Sequence, residues 1–374
     1  MKFTDVNPFN KNIQKKINKL ILKTVNKGDF ILGKNVQKFE EKFSKLADSK
    51  YAIGCATGTD ALILAIKALK LKKNHEVIIP GMSYISTGLA VALNNNKIVF
   101  ADIDDRTGLI SIDSIKNKLN KNTKLIIPVN LYGQKVDLKK LRALVGRRVF
   151  IVEDSAQSHF AYSCFNCGNN NLNLCCKKER NHNFADLSCY SFYPSKNIGA
   201  YGDGGLITTN NINLYKKIKI LRNLGSIKKN VHIYEGLNSR LDTLQASILI
   251  EKLNHTLKHN DSRREISNYY DQELLFLDNI KLTETNLGSS RHLYVIRTNK
   301  RKSFLKFMKK NGVNCQLHYP YSLNKIAALK NKIKKVKLPI SEKWSKECVS
   351  LPLYPNMPLN DAKRVVTLIK KFFN

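Results

Sequence analysis

Short apolar runs alternate with longer stretches of helical periodicity over the first 210 residues. The runs KYAIGCA (50–56), EVIIP (76–80), KIVFADID (97–104), KLIIPVNLYG (124–133), VFIVEDSA (149–156), LSCYSF (187–192) and GGLITT (204–209) show no polar alternation. Between them lie segments such as TDALILAIKALKL (59–71) and STGLAVALNN (86–95), which read as helices. Strands apolar on both faces and interleaved with helices predict a mostly parallel sheet covered on both sides. In such a sheet, function gathers at the carboxyl ends of the strands.

The pattern changes after residue 210. INLYKKIKILRNLG (212–225) reads as a helix and VHIYEGLNSRLD (231–242) as a loop. TLQASILIEKLNHTLKHNDSRREISNYYDQEL (243–274) reads as one long helix linking two lobes. HLYVIRT (292–298) and NCQLHYP (314–320) read as strands, SFLKFMKKNG (303–312) as a helix, and a last helix begins near residue 359. The expectation is an α/β protein with a large domain over 1–250 and a smaller α+β domain over 251–374.

Charge complicates this picture. Lys and Arg number 64 against 29 Asp and Glu, a net charge of +35, and a balance this basic attracts polyanions. The charge is dispersed, however. KNIQKKINKL, LKLKKN, IKNKLNKNTKL, LYKKIKIL and LKNKIKKVKL each read as an amphipathic helix with a solvated lysine face. No zinc-finger, RRM or KH signature occurs, which disfavours dedicated nucleic-acid binding. No apolar run approaches the ~18 residues that span a bilayer, and no apolar stretch follows the first charges. A cytoplasmic protein without a membrane partner is expected. Its eight cysteines then read as thiols or metal ligands rather than disulfides.

Four segments at strand ends offer chemistry. CATGTDAL (55–62) opens a helix where Gly58 permits close approach and the N–H groups of Gly58, Thr59 and Asp60 suit a phosphate; an ordinary turn with Thr59 or Asp60 as cap reads equally well. PGMSYIST (80–87) places Tyr84 to stack on a flat ring or to pack in the core. IVEDSAQ (151–157) puts Glu153 and Asp154 at the end of an apolar strand, where a carboxylate needs a partner; a protonated pyridine nitrogen is one, a helix end or a metal another. SFYPSKNIGAYGDGG (191–205) supplies Ser191 for phosphate and Lys196 for an imine, and its glycines read as room for cofactor and substrate. Together these groups describe a pyridoxal phosphate site.

With these segments in order, the chain resembles the DegT/DnrJ/StrS-type sugar aminotransferases from ILGKNVQKFEEKF through YAIGCATGTDALILAIKAL, EVIIPGMSYIST, VFADID, IPVNLYGQ, VEDSAQ, SFYPSKNIGAYGDGG and LNSRLDTLQASIL to SLPLYPNMPLND. The resemblance implies an aspartate-aminotransferase-like (fold type I) large domain. It implies that Lys196 bonds covalently to pyridoxal 5'-phosphate, that Asp154 faces its pyridine nitrogen and Gln157 its 3′ oxygen, and that Tyr84 stacks on the ring. It further implies that Gly58, Thr59 and Ser191 hold the phosphate, that Asn238 reaches the cofactor of a neighbouring subunit in a homodimer, and that His318 and Tyr319 lie near the substrate. The implied activity moves an amino group from L-glutamate to a nucleotide-linked 4-keto-6-deoxyhexose, giving a 4-amino-4,6-dideoxy sugar of the viosamine or perosamine kind. Amination at C3 is the alternative, and a non-catalytic regulator on the same fold a third reading.

The chain departs from the family pattern in two ways. Asn130 and Leu224 stand where many members carry histidine, an expected influence on sugar preference. The separation of Asp154 and Lys196 exceeds the family's usual one, and the extra residues hold Cys164, Cys167, Cys175 and Cys176 with His182 nearby. Structural zinc is one reading of this tract and free thiols on a surface loop the favoured one. Cys55 and Cys189 read as buried small hydrophobes.

Overall fold

The main sheet runs through the strands that the apolar runs predict: β1 (Tyr51–Cys55), β2 (Glu76–Pro80), β3 (Lys97–Ala101), β4 (Thr123–Ile126), β5 (Phe150–Asp154), β6 (Leu187–Ser191) and β7 (Gly205–Thr209). The computed structural model describes residues 1–162, 184–332 and 336–373. The strand order is β1-β7-β6-β5-β4-β2-β3. β7 is antiparallel to both neighbours and the other pairings are parallel. The link from β6 to β7 contains no helix to carry a crossover, so the chain returns beside β6 in the opposite direction.

Helices cover both faces. In chain order they are α1 (Lys11–Lys27), α2 (Lys34–Leu46), α3 (Gly58–Ala68), α4 (Ile85–Leu93), α5 (Ile112–Lys116), α6 (Leu138–Val145), α7 (Ile212–Leu221), α8 (Thr243–Leu253), α9 (Thr256–Leu274), α10 (Arg301–Lys310), α11 (Pro339–Glu347) and α12 (Leu359–Phe373). One core joins the sheet to α3, α4 and α7 through Ile53, Leu64, Ile79 and Ile207, with Cys55 and Cys189 buried in it as expected. The opposite face packs Ile78, Ile126 and Ile151 on α6. Phe39, Phe43 and Phe192 fill the space between α2, α8 and the sheet. A further core binds α9, α10 and α12 to the small sheet β8 (Lys281–Leu282), β9 (Tyr294–Arg297) and β10 (Cys348–Leu351). Among the described residues no helix is long and apolar enough to cross a membrane.

Four expectations need correction. The long helix over 243–274 is two helices, broken at Asn254 and His255. α8 is buried on most of its surface whereas α9 buries one face, and Asn readily leaves a helix for local hydrogen bonds. NCQLHYP is not a strand; it makes one isolated bridge, Gln316 with Ser350. KLIIPVNLYG is a regular strand only to Ile126; Val129 still bridges Asp154 before the chain turns sharply at Tyr132, whose φ is 62°. Of the lysine-rich segments, KNIQKKINKL and LYKKIKIL are helical. LKLKKN follows the end of α3, where Lys70 takes a φ of 52°. IKNKLNKNTKL is mostly the turn between α5 and β4. LKNKIKKVKL begins in a 3₁₀ helix, Ala327–Lys332, and then leaves the described residues.

The join of β1 and β7 is intolerant of bulk. A Cβ on Gly205 would sit 2.1 Å from the Thr57 carbonyl oxygen, a backbone atom that cannot swing away. Gly205→Ala is expected to destabilise the protein by about 2–3 kcal/mol or more through overpacking, read from urea unfolding. An unchanged midpoint would show that the strand shifts freely.

Candidate active site

The carboxyl ends of β1, β5 and β6 converge with the amino ends of α3 and α4. The Thr57 hydroxyl caps α3 by accepting the Asp60 N–H at 2.9 Å. The cap is therefore Thr57, not Thr59 or Asp60, and the open amides at this end are those of Gly58 and Thr59. A Cβ on Gly58 would lie 2.5 Å from the Ser191 Cβ, so these two positions abut. The Thr59 hydroxyl meets that of Ser86 at 2.7 Å, tying α3 to α4. Open helix amides beside a serine form an anion cradle.

β5 separates its two carboxylates. Glu153 is fully buried and satisfied: Lys135 forms an ion pair with it, Asn130 donates at 2.7 Å and Ser188 at 2.8 Å. Asp154 faces the site instead. Thr87 donates to its Oδ2 at 2.9 Å and the Ala156 N–H to its Oδ1 at 3.2 Å. Burial raises the pKa of Asp154, opposed by these two bonds and by Lys196.

Lys196 lies half-buried in the turn after β6, and its Nζ makes no hydrogen bond among the described residues. Burial pushes its ammonium down from 10.5 to about 8, with Asp154 the opposing charge. Three histidines sense Lys196. Burial and its charge lower His159 to about 3 and His318 to about 4, and lower His292 strongly. Neutral imidazoles thus surround a weakly basic amine.

Gln157 is held rigidly, accepting the Tyr132 N–H at 2.7 Å and donating to the Tyr319 hydroxyl at 2.8 Å. The Tyr84 ring is 57% exposed at the start of α4 and tilts against Tyr319 at 5.7 Å. It is a wall of the site, not a core residue. Nδ1 of His318 bonds the Ser350 hydroxyl at 2.8 Å. A cavity of about 400 Å³, lined by Tyr193, Ser195, His292, Gln316 and His318, abuts the turn that carries Lys196.

Not every expected residue joins this cluster. Asn238 is exposed, its backbone bridged to Asn223; the next residue, Ser239, donates to Asp60 at 2.7 Å and so holds the loop near α3. Gly199, after Lys196, serves the chain rather than a ligand: a Cβ there would lie 2.1 Å from the Pro194 carbonyl oxygen. Asn130, buried among Glu153, Ser155 and the Val136 N–H, does not line the cavity. Cys164, Cys167, Cys175, Cys176 and His182 lie outside the described residues, and among those described no cluster could hold a metal. Sequence reasoning missed Thr87, His159 and His292.

The DegT/DnrJ/EryC1/StrS aminotransferase family model matches residues 11–370. The UDP-2-acetamido-2-deoxy-3-oxo-D-glucuronate aminotransferase of Pseudomonas aeruginosa is 35% identical over 357 residues, 95% of each chain. The dTDP-3-amino-3,6-dideoxy-alpha-D-galactopyranose transaminase of Aneurinibacillus thermoaerophilus is 35% identical over 378 residues, 99% of each. The crystal structure of NtdA from Bacillus subtilis, with bound cofactor PMP, superposes with a TM-score of 0.89 at 28% identity, covering 99% of this chain and 84% of that one.

Half of the Lys196 side chains are neutral near pH 8, against well under 1% of ordinary lysines, a reactivity advantage of roughly two orders of magnitude. An amine-directed reagent applied to the cofactor-free protein at pH 8 is expected to mark Lys196 first, at a rate rising with a midpoint near pH 8. Labelling no faster than at surface lysines, by peptide mapping, would sink the assignment.

Proposed function

The chain belongs to the DegT/DnrJ/EryC1/StrS aminotransferase family, and from that membership we propose that it transfers an amino group from L-glutamate to the ketone of a nucleotide-linked sugar, using pyridoxal 5'-phosphate. The observation that carries this reading is the pairing of Lys196, its amine lowered to about 8, with Asp154 across one cleft. The residues present fit the cofactor. Asp154 is an acceptor without a cationic hydrogen-bond partner among the described residues, and the abutting Gly58 and Ser191 leave a cradle that a larger side chain would fill.

When bound, pyridoxal phosphate supplies an aldehyde for amine exchange and a cationic ring that withdraws electrons. The protein's part is holding and proton transfer. Gly58, Thr59 and Ser191 would hold the phosphate. Asp154, oriented by Thr87 and Ala156, would keep the ring nitrogen protonated. Gln157, clamped between Tyr132 and Tyr319, would meet the ring's 3′ oxygen, and Tyr84 would cover its face. Lys196 Nζ, near neutrality, would take a proton from the donor and return it to the acceptor. The cavity lined by His318 beside the Lys196 turn would accept the sugar, with Tyr319 at its edge, and Asn238 would serve the partner subunit's site in a homodimer.

The two relatives named above carry a C3 function in their names, which supports 3-amination here over the 4-amination expected from sequence. The test is incubation with pyridoxal phosphate, glutamate and a panel of nucleotide-linked 3-keto and 4-keto sugars, with products identified by mass and NMR. An amino sugar from a 3-keto substrate is expected, with kcat lowered about 10²–10⁴-fold or more in Lys196→Ala. No turnover with any keto-sugar would remove the proposed activity.

A further inference from the structure

We propose that a small inorganic anion of halide size binds beneath the Lys196 turn, held by Arg263 and Lys252. The observation behind this is an unbalanced buried cation. Arg263, on α9, is 3% exposed, and its Nε and Nη1 have no hydrogen-bond partner. No carboxylate lies within ion-pair distance of it among the described residues. Burial alone pushes the guanidinium down to about 9. A second cation stands nearby. Lys252 is also 3% exposed; its Nζ donates to the Gly199 carbonyl at 2.7 Å and lies 4.2 Å from the Tyr201 ring centroid. Both residues line one small cavity with Lys196, a third amine, and with His259, Asn197, Phe9 and Asp5.

Two buried cations side by side require compensation. Asp5 does not provide it: its carboxylate accepts the Asn7 N–H at 3.0 Å and makes no ion pair with Arg263 or Lys252. A water molecule would satisfy hydrogen bonds but leave the charge unopposed. The cavity, about 20 Å³, exceeds the least space a single water needs. Its size suits a halide better than sulfate or phosphate. Gly58 and Ser191 do not line this cavity, which shares Lys196 with the candidate active site, and this inference does not rest on the proposed activity.

The test uses the full chain loaded with cofactor. Crystals grown in sodium bromide are expected to show one anomalous peak between Arg263 and Lys252. In solution, replacing gluconate by chloride or bromide at fixed ionic strength is expected to raise the thermal midpoint by a few degrees, saturating with halide, whereas sulfate does not. Arg263→Met is expected to abolish this response and Lys252→Met to weaken it at least tenfold in halide concentration, while Asp5→Asn keeps it. Absence of the peak, or a midpoint indifferent to halide, overturns the proposal even if Arg263→Met fails to fold. A bromide peak without any midpoint response means an adventitious ion only and also overturns it.

Discussion

Loss of water governs the centre of this protein. The ammonium of Lys196 and the carboxylate of Asp154 are both drawn towards neutrality by the same desolvation, and each is the other's opposing charge. A shift of Lys196 from 10.5 to about 8 is worth roughly 3 kcal/mol, a large fraction of the 5–15 kcal/mol, order of magnitude, that holds a domain folded. The site is stable because the cost is divided. Asp154 takes two hydrogen bonds from the scaffold rather than a tight ion pair with the lysine, so the amine stays unpaired and available. His159, His292 and His318 remain neutral, which spares the cleft three further buried charges.

That division depends on strand geometry. Neighbouring residues on β5 point to opposite faces of the sheet, so two adjacent carboxylates enter different environments. Glu153 meets Lys135, Asn130 and Ser188 and is consumed by the fold. Asp154 meets a hydroxyl, one amide and an amine. Asn130 belongs to the first set and supports Glu153. The dense hydrogen bonding of Glu153 also keeps an extra buried negative charge in fixed register, where it raises Asp154 only as a minor influence.

Much of this was legible in the chain, and the limits have physical causes. Gly58, Asp154, Ser191 and Lys196 were found because each closes or follows an unalternating apolar run, and in a largely parallel sheet such ends share one edge. Tyr84 was open because stacking and packing use the same ring, and only its exposure decides between them. The break after α8 was hidden because both sides have helical periodicity, and periodicity carries no information about axis direction. NCQLHYP was misread because alternation there reflects a segment crossing the small lobe with one bridge, not a ladder. His159 and His292 were out of reach because their proximity to Lys196 arises from packing distant in sequence. The lysine-rich segments misled for the opposite reason: in a chain with 64 basic residues, lysine appears at helical spacing in turns as well.

The glycines of SFYPSKNIGAYGDGG bear on how Lys196 is held. Room for a ligand was the sequence expectation, yet Gly199 and Gly205 are pressed against backbone carbonyls of Pro194 and Thr57. Glycine is required because the chain passes over itself. The Lys196 N–H bonds the Tyr193 carbonyl at 2.9 Å, and the Ala200 N–H bonds that of Phe192 at 2.7 Å, closing a tight loop around the lysine. Asn197 then ties the loop outward, donating to Asn260 on α9 at 2.7 Å and to the Ser290 carbonyl at 2.9 Å. The reactive amine therefore rides on a turn fixed to the sheet on one side and to the helix entering the small lobe on the other. Movement of α9 would act directly on the turn that sets the position of Lys196, which makes the packing of residues 197–205, rather than free space around them, the determinant of where the amine meets its carboxylate.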